Sequence, residues 1–326
     1  MATVETDLIF SLQQQFPALA SPMQAVSVID LGIVYILLVT ALYVGFTTRS
    51  GVRAGILLGI SSGLNDALKF LLHQPRPYWT DARVEGLNAQ SSFGMPSTQA
   101  QLAVSVYLYC AYAIRRYWAW ALALFLVIIS GFARIYLGAH DLAQVLSGFA
   151  VGAILLALFV TLDPLLTPHI TKLEPPKRIL LAFGGSIVLI LVTLAALSFT
   201  TGGWTTPPDW NATAFASAGK PISPFNPAQS FSSAGLLFGL SAGYVLLSER
   251  GGYTTERSWH RRGAACILAL VAVYILSGCL DWVIALFPRS AILWLMYLRM
   301  TVIGLFVGYA LPYFLIRAGL GSGSKK

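Results

Sequence analysis

Lys69-Phe-Leu-Leu-His-Gln-Pro75-Arg76-Pro77 closes one apolar segment and Gly94-Met-Pro96-Ser97-Thr98-Gln99 opens the next. Ala133-Arg134-Ile-Tyr-Leu-Gly-Ala-His140-Asp-Leu-Ala-Gln144 then joins two more. These polar clusters decide how the chain is read, because almost everything around them is oily. Of 326 residues, 56% are hydrophobic and 10% are charged, against about 25% charged in an average soluble domain. That balance belongs to a chain that crosses a membrane many times. The net charge of +8 is not the footprint of a nucleic-acid binder, because the basic residues sit in short loops between apolar segments, where they set topology. No nucleic-acid partner is expected. Cys110, Cys266 and Cys279 lie inside apolar segments without metal-like or disulfide-like spacing and read as buried, inert thiols. Residues 1–25 lack the basic start of a cleavable leader.

A membrane-spanning helix needs about 20 predominantly apolar residues. Nine segments come close: 26–46, 52–72, 97–114, 117–137, 142–162, 178–199, 232–248, 263–287 and 291–316. The expected fold is all-α and polytopic, with about nine transmembrane helices. Ahead of them, 1–25 is a partly amphipathic lead-in (Leu8, Ile9, Leu12, Phe16) suited to the membrane surface. Residues 26–165 form a core of about five spans around the clusters, 166–317 add the remaining spans, and 318–326 are a flexible tail. The longest polar connection, 200–231, is rich in Pro, Gly, Thr and Ser and has the length of a lid or binding loop. Its Asn211-Ala212-Thr213 fits a glycosylation acceptor, a triplet common by chance. Nine spans place fourteen Lys and Arg on one face; Lys69, Arg76, Arg83, Arg134, Lys220 and Arg289 fall on the other. The richer face is cytoplasmic, which puts the N-terminus outside and the C-terminus in the cytoplasm. All three clusters then share the non-cytoplasmic face, where they can build one site.

Lys69 ends its helix, and Arg76 stands between two prolines that fix φ and stiffen its loop. Arg offers paired donors to a phosphate and Lys a point charge. Taken alone, either reads as an interfacial residue reaching for water. Ser97, with Thr98 behind it, caps the next helix, whose first N–H groups and dipole favour an anion. Taken alone, that is only a cap. Arg134 and His140 frame the third cluster; His140 starts a helix there, so Gln144, one turn on, can hold a ring nitrogen. Three cations, a histidine and an anion-binding helix start are together the parts needed to hold and attack a phosphate. Elsewhere, Asp281 and Arg299 on neighbouring spans read as a buried pair that fixes helix packing, with Asp30 and Asp66 as further ionisable residues inside spans.

The order Lys-x6-Arg-Pro, Pro-Ser-x-x and Arg-x5-His, carried by Lys69, Arg76, Pro77, Pro96, Ser97, Arg134 and His140, resembles the type 2 phosphatidic acid phosphatase superfamily. That group includes lipid phosphate phosphatases, glucose-6-phosphatase and vanadium haloperoxidases. The nine-span layout, the outward N-terminus and the tail His140-Asp-Leu-Ala-Gln144 are most similar to the glucose-6-phosphatase branch, where glutamine commonly replaces the aspartate found after the histidine. The motifs cover 69–144, and 178–326 match only in the number and placement of spans. The resemblance implies a helical core like that of this superfamily. It implies that His140 attacks phosphorus and forms a phosphohistidine, with Gln144 beside it. Lys69, Arg76 and Arg134 would bind the equatorial oxygens, and Ser97, Thr98 and the N–H groups after them would complete the cradle. The implied ligands are a phosphate-bearing lipid or small molecule, with vanadate as a mimic and membrane lipid around it. No metal or cofactor is required.

Two positions depart from the pattern. Ala133 stands where a serine is usual, at the cost of one hydrogen bond. Gln99 stands where the family has the histidine that protonates the leaving oxygen. An amide cannot deliver a proton at neutral pH, and losing a general acid typically costs about 10²–10⁴ in rate. The preferred reading is an engineered inactivating substitution; natural loss of activity and an easily expelled leaving group are the alternatives. The leading function is a membrane phosphatase acting on a lipid phosphate, a prenyl diphosphate or a sugar phosphate such as glucose 6-phosphate. The alternative is a phosphoester binder or transporter that keeps the pocket without turnover; a vanadate-dependent oxidase ranks third.

Overall fold

The computed structural model describes residues 4–29, 32–256 and 258–323. Asp30, Arg257, Lys325 and Lys326, which figure in the charge reading, lie outside them. Among the described residues the chain is helical, and an isolated bridge between Thr254 and Ser322 is its strand-like pairing. In order come α1 (Val4–Gln15), α2 (Ala20–Ile29), α3 (Gly32–Gly45), α4 (Thr48–Leu72) and the short α5 (Pro77–Thr80). α6 (Thr98–Leu102) passes through a π-helical turn, Ala103–Tyr107, into α7 (Leu108–Ile114). α8 (Tyr117–Tyr136), α9 (Leu142–Thr171), α10 (Pro175–Thr201), α11 (Pro208–Ala218), α12 (Ala228–Glu249) and α13 (Trp259–Ile284) follow. α14 (Ile292–Leu305) then runs through a second π-helical turn, Phe306–Ala310, into α15 (Leu311–Arg317).

Among the described residues, 7 helical stretches are long and apolar enough to cross a membrane, and up to 8 if Pro17–Val28 and Gly32–Gly45 count together as one span. The expected span 26–46 is therefore divided between α2 and α3, and residues 30 and 31 between them lie outside the described residues. The expected span 97–114 is helical too, but interrupted by its π turn and shorter than a full crossing. Leu158, Val188, Ile267 and Ile275 remain exposed along α9, α10 and α13. Apolar side chains facing outward on helices this long meet lipid. The protein is a multi-pass integral membrane protein.

Contacts divide the chain into two compact units: residues 1–31, 64–156 and 192–227 form one, and residues 32–63, 157–191 and 228–326 the other. This interleaves the chain, whereas the division at 165 follows the order of the motifs. The first unit carries all three clusters. Its core gathers Ile9, Phe70, Tyr78, Trp79, Val84 and Phe93, and a second group joins Met23 to Ala133, Tyr136 and Leu137. α1 docks through Gln13, whose amide donates to the Glu85 and Tyr136 carbonyls at 2.9 and 3.0 Å. The connection expected at 200–231 is built rather than loose. α11 starts on Pro208 and stops at Gly219, whose φ of 66° suits a left-handed cap, and Asn211 Oδ1 accepts the Ile222 amide at 3.1 Å.

The second unit is held by close backbone approach. Gly235 and Gly239 on α12 face the Tyr297 and Thr301 carbonyls of α14, so near that a Cβ would collide. Small residues at such a seam let helices associate where lipid supplies no hydrophobic drive. Arg53 pairs with Asp163. Arg299 meets Asp281 at 2.8 Å and donates to Ser277 Oγ at 2.7 Å. The expected pair therefore exists but is not buried, since the Asp281 side chain is 62% exposed near the end of α13. The cysteines also need correction: Cys110 is buried, Cys266 is partly covered, and Cys279 falls on the outward face of α13.

Candidate active site

The first unit brings the clusters together at helix ends. Arg76 caps α5 in an extended conformation (φ −83°, ψ 156°), just before Pro77 at the first helical position, where the fixed φ suits a helix start. Arg76 is 1% exposed, and its guanidinium is fully engaged. Nε donates to the Ser92 carbonyl at 2.7 Å, Nη2 to the Phe93 carbonyl at 3.2 Å and Nη1 to the Ala139 carbonyl at 2.8 Å. Lys69 Nζ and Arg76 Nη2 both donate to Ser92 Oγ, at 2.9 and 3.2 Å. Two cations thus converge on one oxygen. Arg134, equally buried near the end of α8, lends its carbonyl to the His140 amide at 3.2 Å.

His140 lies two residues before α9, not within it; Asp141 is the residue that caps the helix, accepting the Gln144 amide at 2.8 Å. The expected contact to Gln144 survives this shift. His140 Nδ1 lies 2.8 Å from the Gly94 carbonyl and 3.1 Å from Gln144 Oε1. The Gln144 amide is oriented by its own donation to the Pro75 carbonyl at 2.7 Å. Both neighbours of Nδ1 are therefore acceptors, so Nδ1 carries the proton. Nε2, 3.0 Å from Arg76 Nη1, keeps its lone pair and accepts from the guanidinium. Burial first, then the charges of Arg76, Lys69 and Arg134, hold the imidazole well below its ordinary pKa. The ring is neutral at pH 7, with its basic nitrogen among the cations. Gly94 is needed here for space: a Cβ on it would come within 2.5 Å of Gln144 Oε1.

Ser97 caps α6, its Oγ accepting the Ala100 amide at 3.5 Å, while its own amide donates to the Gln144 carbonyl at 3.0 Å. The cap is thereby tied to the third cluster. Thr98 turns its hydroxyl to Asn65 Oδ1 at 2.6 Å. Asn65 Nδ2 in turn donates to the Pro96 carbonyl at 3.3 Å and to Gln101 Oε1 at 2.8 Å. Gln99 is partly covered on the first turn of α6 and enters none of these bonds. Ala133 is fully buried. Sequence reasoning missed Ser92 and Asn65. Asn65 sits one turn before Lys69 on α4, a spacing that puts both on one helix face; Ser92 gives no such signal.

Buried cations around a neutral, oriented histidine on a polytopic helical frame define a class, helical membrane proteins with a buried site suited to an anion. The PAP2 superfamily profile matches residues 50–167, and that of the PAP2 superfamily phosphatase, transmembrane extension, matches 231–325. The chain thus carries a PAP2 superfamily domain followed by that superfamily's transmembrane extension. It is similar to Lipid phosphate phosphatase delta of Arabidopsis thaliana, 28% identical over 133 residues, 36% of this chain and 32% of that protein. It is also similar to Dolichyldiphosphatase of Saccharomyces cerevisiae, 32% identical over 105 residues, 29% of this chain and 44% of that protein. The chain thus spans less than half the length of either curated relative. Among solved structures, a transmembrane PAP2 type phosphatidylglycerolphosphate phosphatase from Bacillus subtilis aligns with a TM-score of 0.41 at 20% identity, over 50% of this chain and 88% of that one.

Proposed function

We propose that the chain hydrolyses a phosphate monoester or diphosphate carried on a lipid, through attack of His140 Nε2 on phosphorus. The observation that carries this reading is the imidazole's tautomer. Nδ1–H is held by two carbonyl oxygens, and Nε2 is left basic beside Arg76. In the first step the Nε2 lone pair forms the N–P bond as the bridging P–O bond breaks, and the leaving oxygen takes that electron pair. Lys69, Arg76 and Arg134 offset the charge on the equatorial oxygens. The positive charge gained by the ring is spread through Nδ1–H to the Gly94 and Gln144 oxygens. Water then attacks the phosphohistidine, phosphate departs, and the ring recovers its lone pair as the water's proton passes to solvent.

Gln99 takes no part in either proton movement, so the leaving oxygen departs unprotonated or draws on water. By resemblance it replaces the general acid, which makes this chain slow on alkyl esters and least impaired on diphosphates, whose leaving group is itself a phosphate. The names of the relatives support a lipid substrate; the glutamine at 144 supports a sugar phosphate by resemblance. The charge bias of the loops supports a non-cytoplasmic site with the N-terminus outside and the C-terminus in the cytoplasm. Gln99 also favours a second reading, a phosphoester binder or transporter without turnover.

Phosphate release by the purified protein, unaltered and as Gln99→His, on a prenyl diphosphate, phosphatidic acid and glucose 6-phosphate tests both. Turnover restored or raised by Gln99→His on one of these supports the phosphatase and selects its substrate. Vanadate binding without release by either form supports the binder.

A further inference from the structure

Residues Ser92, Phe93 and Gly94 form a strap with two sets of partners. Its three carbonyls accept from Arg76 Nε at 2.7 Å, from Arg76 Nη2 at 3.2 Å and from His140 Nδ1 at 2.8 Å. The Phe93 ring, wholly buried, meets Phe225 at 5.3 Å, Trp204 at 5.7 Å and Trp79 at 6.3 Å between centroids, the first two edge-on. Trp204 also contacts Trp210 and Phe225, at 5.7 and 6.0 Å, and Trp210 reaches Trp79 at 6.0 Å. Spacings and tilts of this kind are those in which aromatic rings attract. Trp204, Trp210 and Phe225 all come from the connection between α10 and α12, which lies between the two matched regions of the chain. Nothing in the three motifs accounts for it.

Two hydrogen bonds join the last turn of α10 and the connection after it to the site's neighbours. Thr200 Oγ1 donates to the Phe70 carbonyl at 2.6 Å, one residue after Lys69. The Ser223 amide donates to the Ser91 carbonyl at 3.0 Å, one residue before Ser92. The connection therefore grips the strap from its ring side and by its backbone, and also the end of the helix that presents Lys69. An oxygen-lined cradle works only if its acceptors fix the cations and the ring to within a fraction of an ångström.

We propose that residues 200–227 are a brace that sets Arg76 and His140 in place through the Ser92–Gly94 strap, which makes Trp204 and Phe225 positioning residues of the phosphate site. This rests on reading Lys69, Arg76, Arg134 and His140 as a phosphate cradle. The test compares the full chain with Trp204→Ala, Phe225→Ala and the conservative Trp204→Phe. Vanadate affinity per folded molecule is measured with kcat and KM, together with amide exchange of 200–227 with and without vanadate.

The alanine variants should lose roughly tenfold or more in vanadate affinity and in kcat, with KM moving less than about threefold. Trp204→Phe should recover most of that loss, and vanadate should slow amide exchange at Ser223, since coupling between two places is reciprocal. A merely structural segment would lower the folded fraction and leave vanadate affinity and kcat of the remainder unchanged; that result overturns the brace. If the alanine variants fail to fold, Trp204→Phe and Phe225→Leu carry the comparison, with a smaller loss in the same readouts expected and no change overturning it. Vanadate binding without phosphate release by any form defeats the phosphatase reading while still testing the brace. No vanadate binding by the unaltered chain defeats both.

Discussion

At the scale of the residue, the account turns on which nitrogen of His140 is basic. Replacing His140 by Asn should abolish turnover, a loss on the order of 10³-fold or more, while folding persists. Gln144→Ala should be far milder, because the Gly94 carbonyl still holds Nδ1–H. One hydrogen bond of about 1 kcal/mol corresponds to roughly fivefold in kcat. The imidazole's pKa is held well below its ordinary value, so the native ring stays neutral as pH falls through about 6.5, where an unfolded histidine takes up its proton. The unfolded state then binds the extra proton, and this residue's contribution to stability falls as pH drops below that value. A kcat/KM profile of the unaltered chain should accordingly lack an acidic limb from His140 near pH 6.5; a limb there that disappears in a His140 variant would speak against the assigned protonation. Lys69, Arg76, Arg134, His140 and Gln144 were legible because residue type, order and spacing name them together. Ser92 was not, because only the folded path of the strap returns it to Arg76, sixteen positions earlier in the chain.

The elements add two further expectations. Asp141, which caps α9, has its carboxyl raised to about 6, chiefly by burial and also by the neighbouring Glu5. Its protonated form is favoured in the folded state, so its contribution is present below about pH 4 and is lost as pH rises through 6. Asn can cap the helix without a charge. Asp141→Asn should raise the melting temperature at pH 7–8 and leave it nearly unchanged at pH 4; a lower melting temperature at pH 8 would refute the sign. In the second unit, Gly239→Val should abolish folded yield, since its Cβ collides with the Thr301 carbonyl, whereas Gly184→Val meets nothing within 4 Å and should express normally. Hydropathy found the long helices but not the π-helical turn inside 97–114, because length and oiliness carry no information about how the backbone is wound. It also read 200–231 as a loop: Pro, Gly and Ser suggest irregular chain, while the pull of Phe93 and Trp79 on Trp204, Trp210 and Phe225 comes from residues far away in sequence.

For the whole molecule, a helical membrane frame brings the ends of α4, α6, α8 and α9 together in the first unit, and the three polar clusters sit at or beside those ends. The class of protein was readable from composition and three motifs, because both survive without tertiary detail. Substrate and side of the membrane belong to the proposal: the first depends on how Gln99 and the leaving group divide the work, the second on loop charges. Gln99→His should speed an alkyl phosphate by about 10²–10⁴ and a diphosphate far less, which a parallel assay of both substrates reads directly.

The central claim is that His140 Nε2 takes the phosphoryl group. The most direct measurement is rapid quenching of the Gln99→His protein with substrate labelled in the transferred phosphate, followed by peptide mapping. The account predicts acid-labile, base-stable label on the peptide containing His140, formed at least as fast as phosphate is released and absent from the His140→Asn variant. Undiminished phosphate release by the His140→Asn variant, or product formed with no label ever reaching His140, would contradict it.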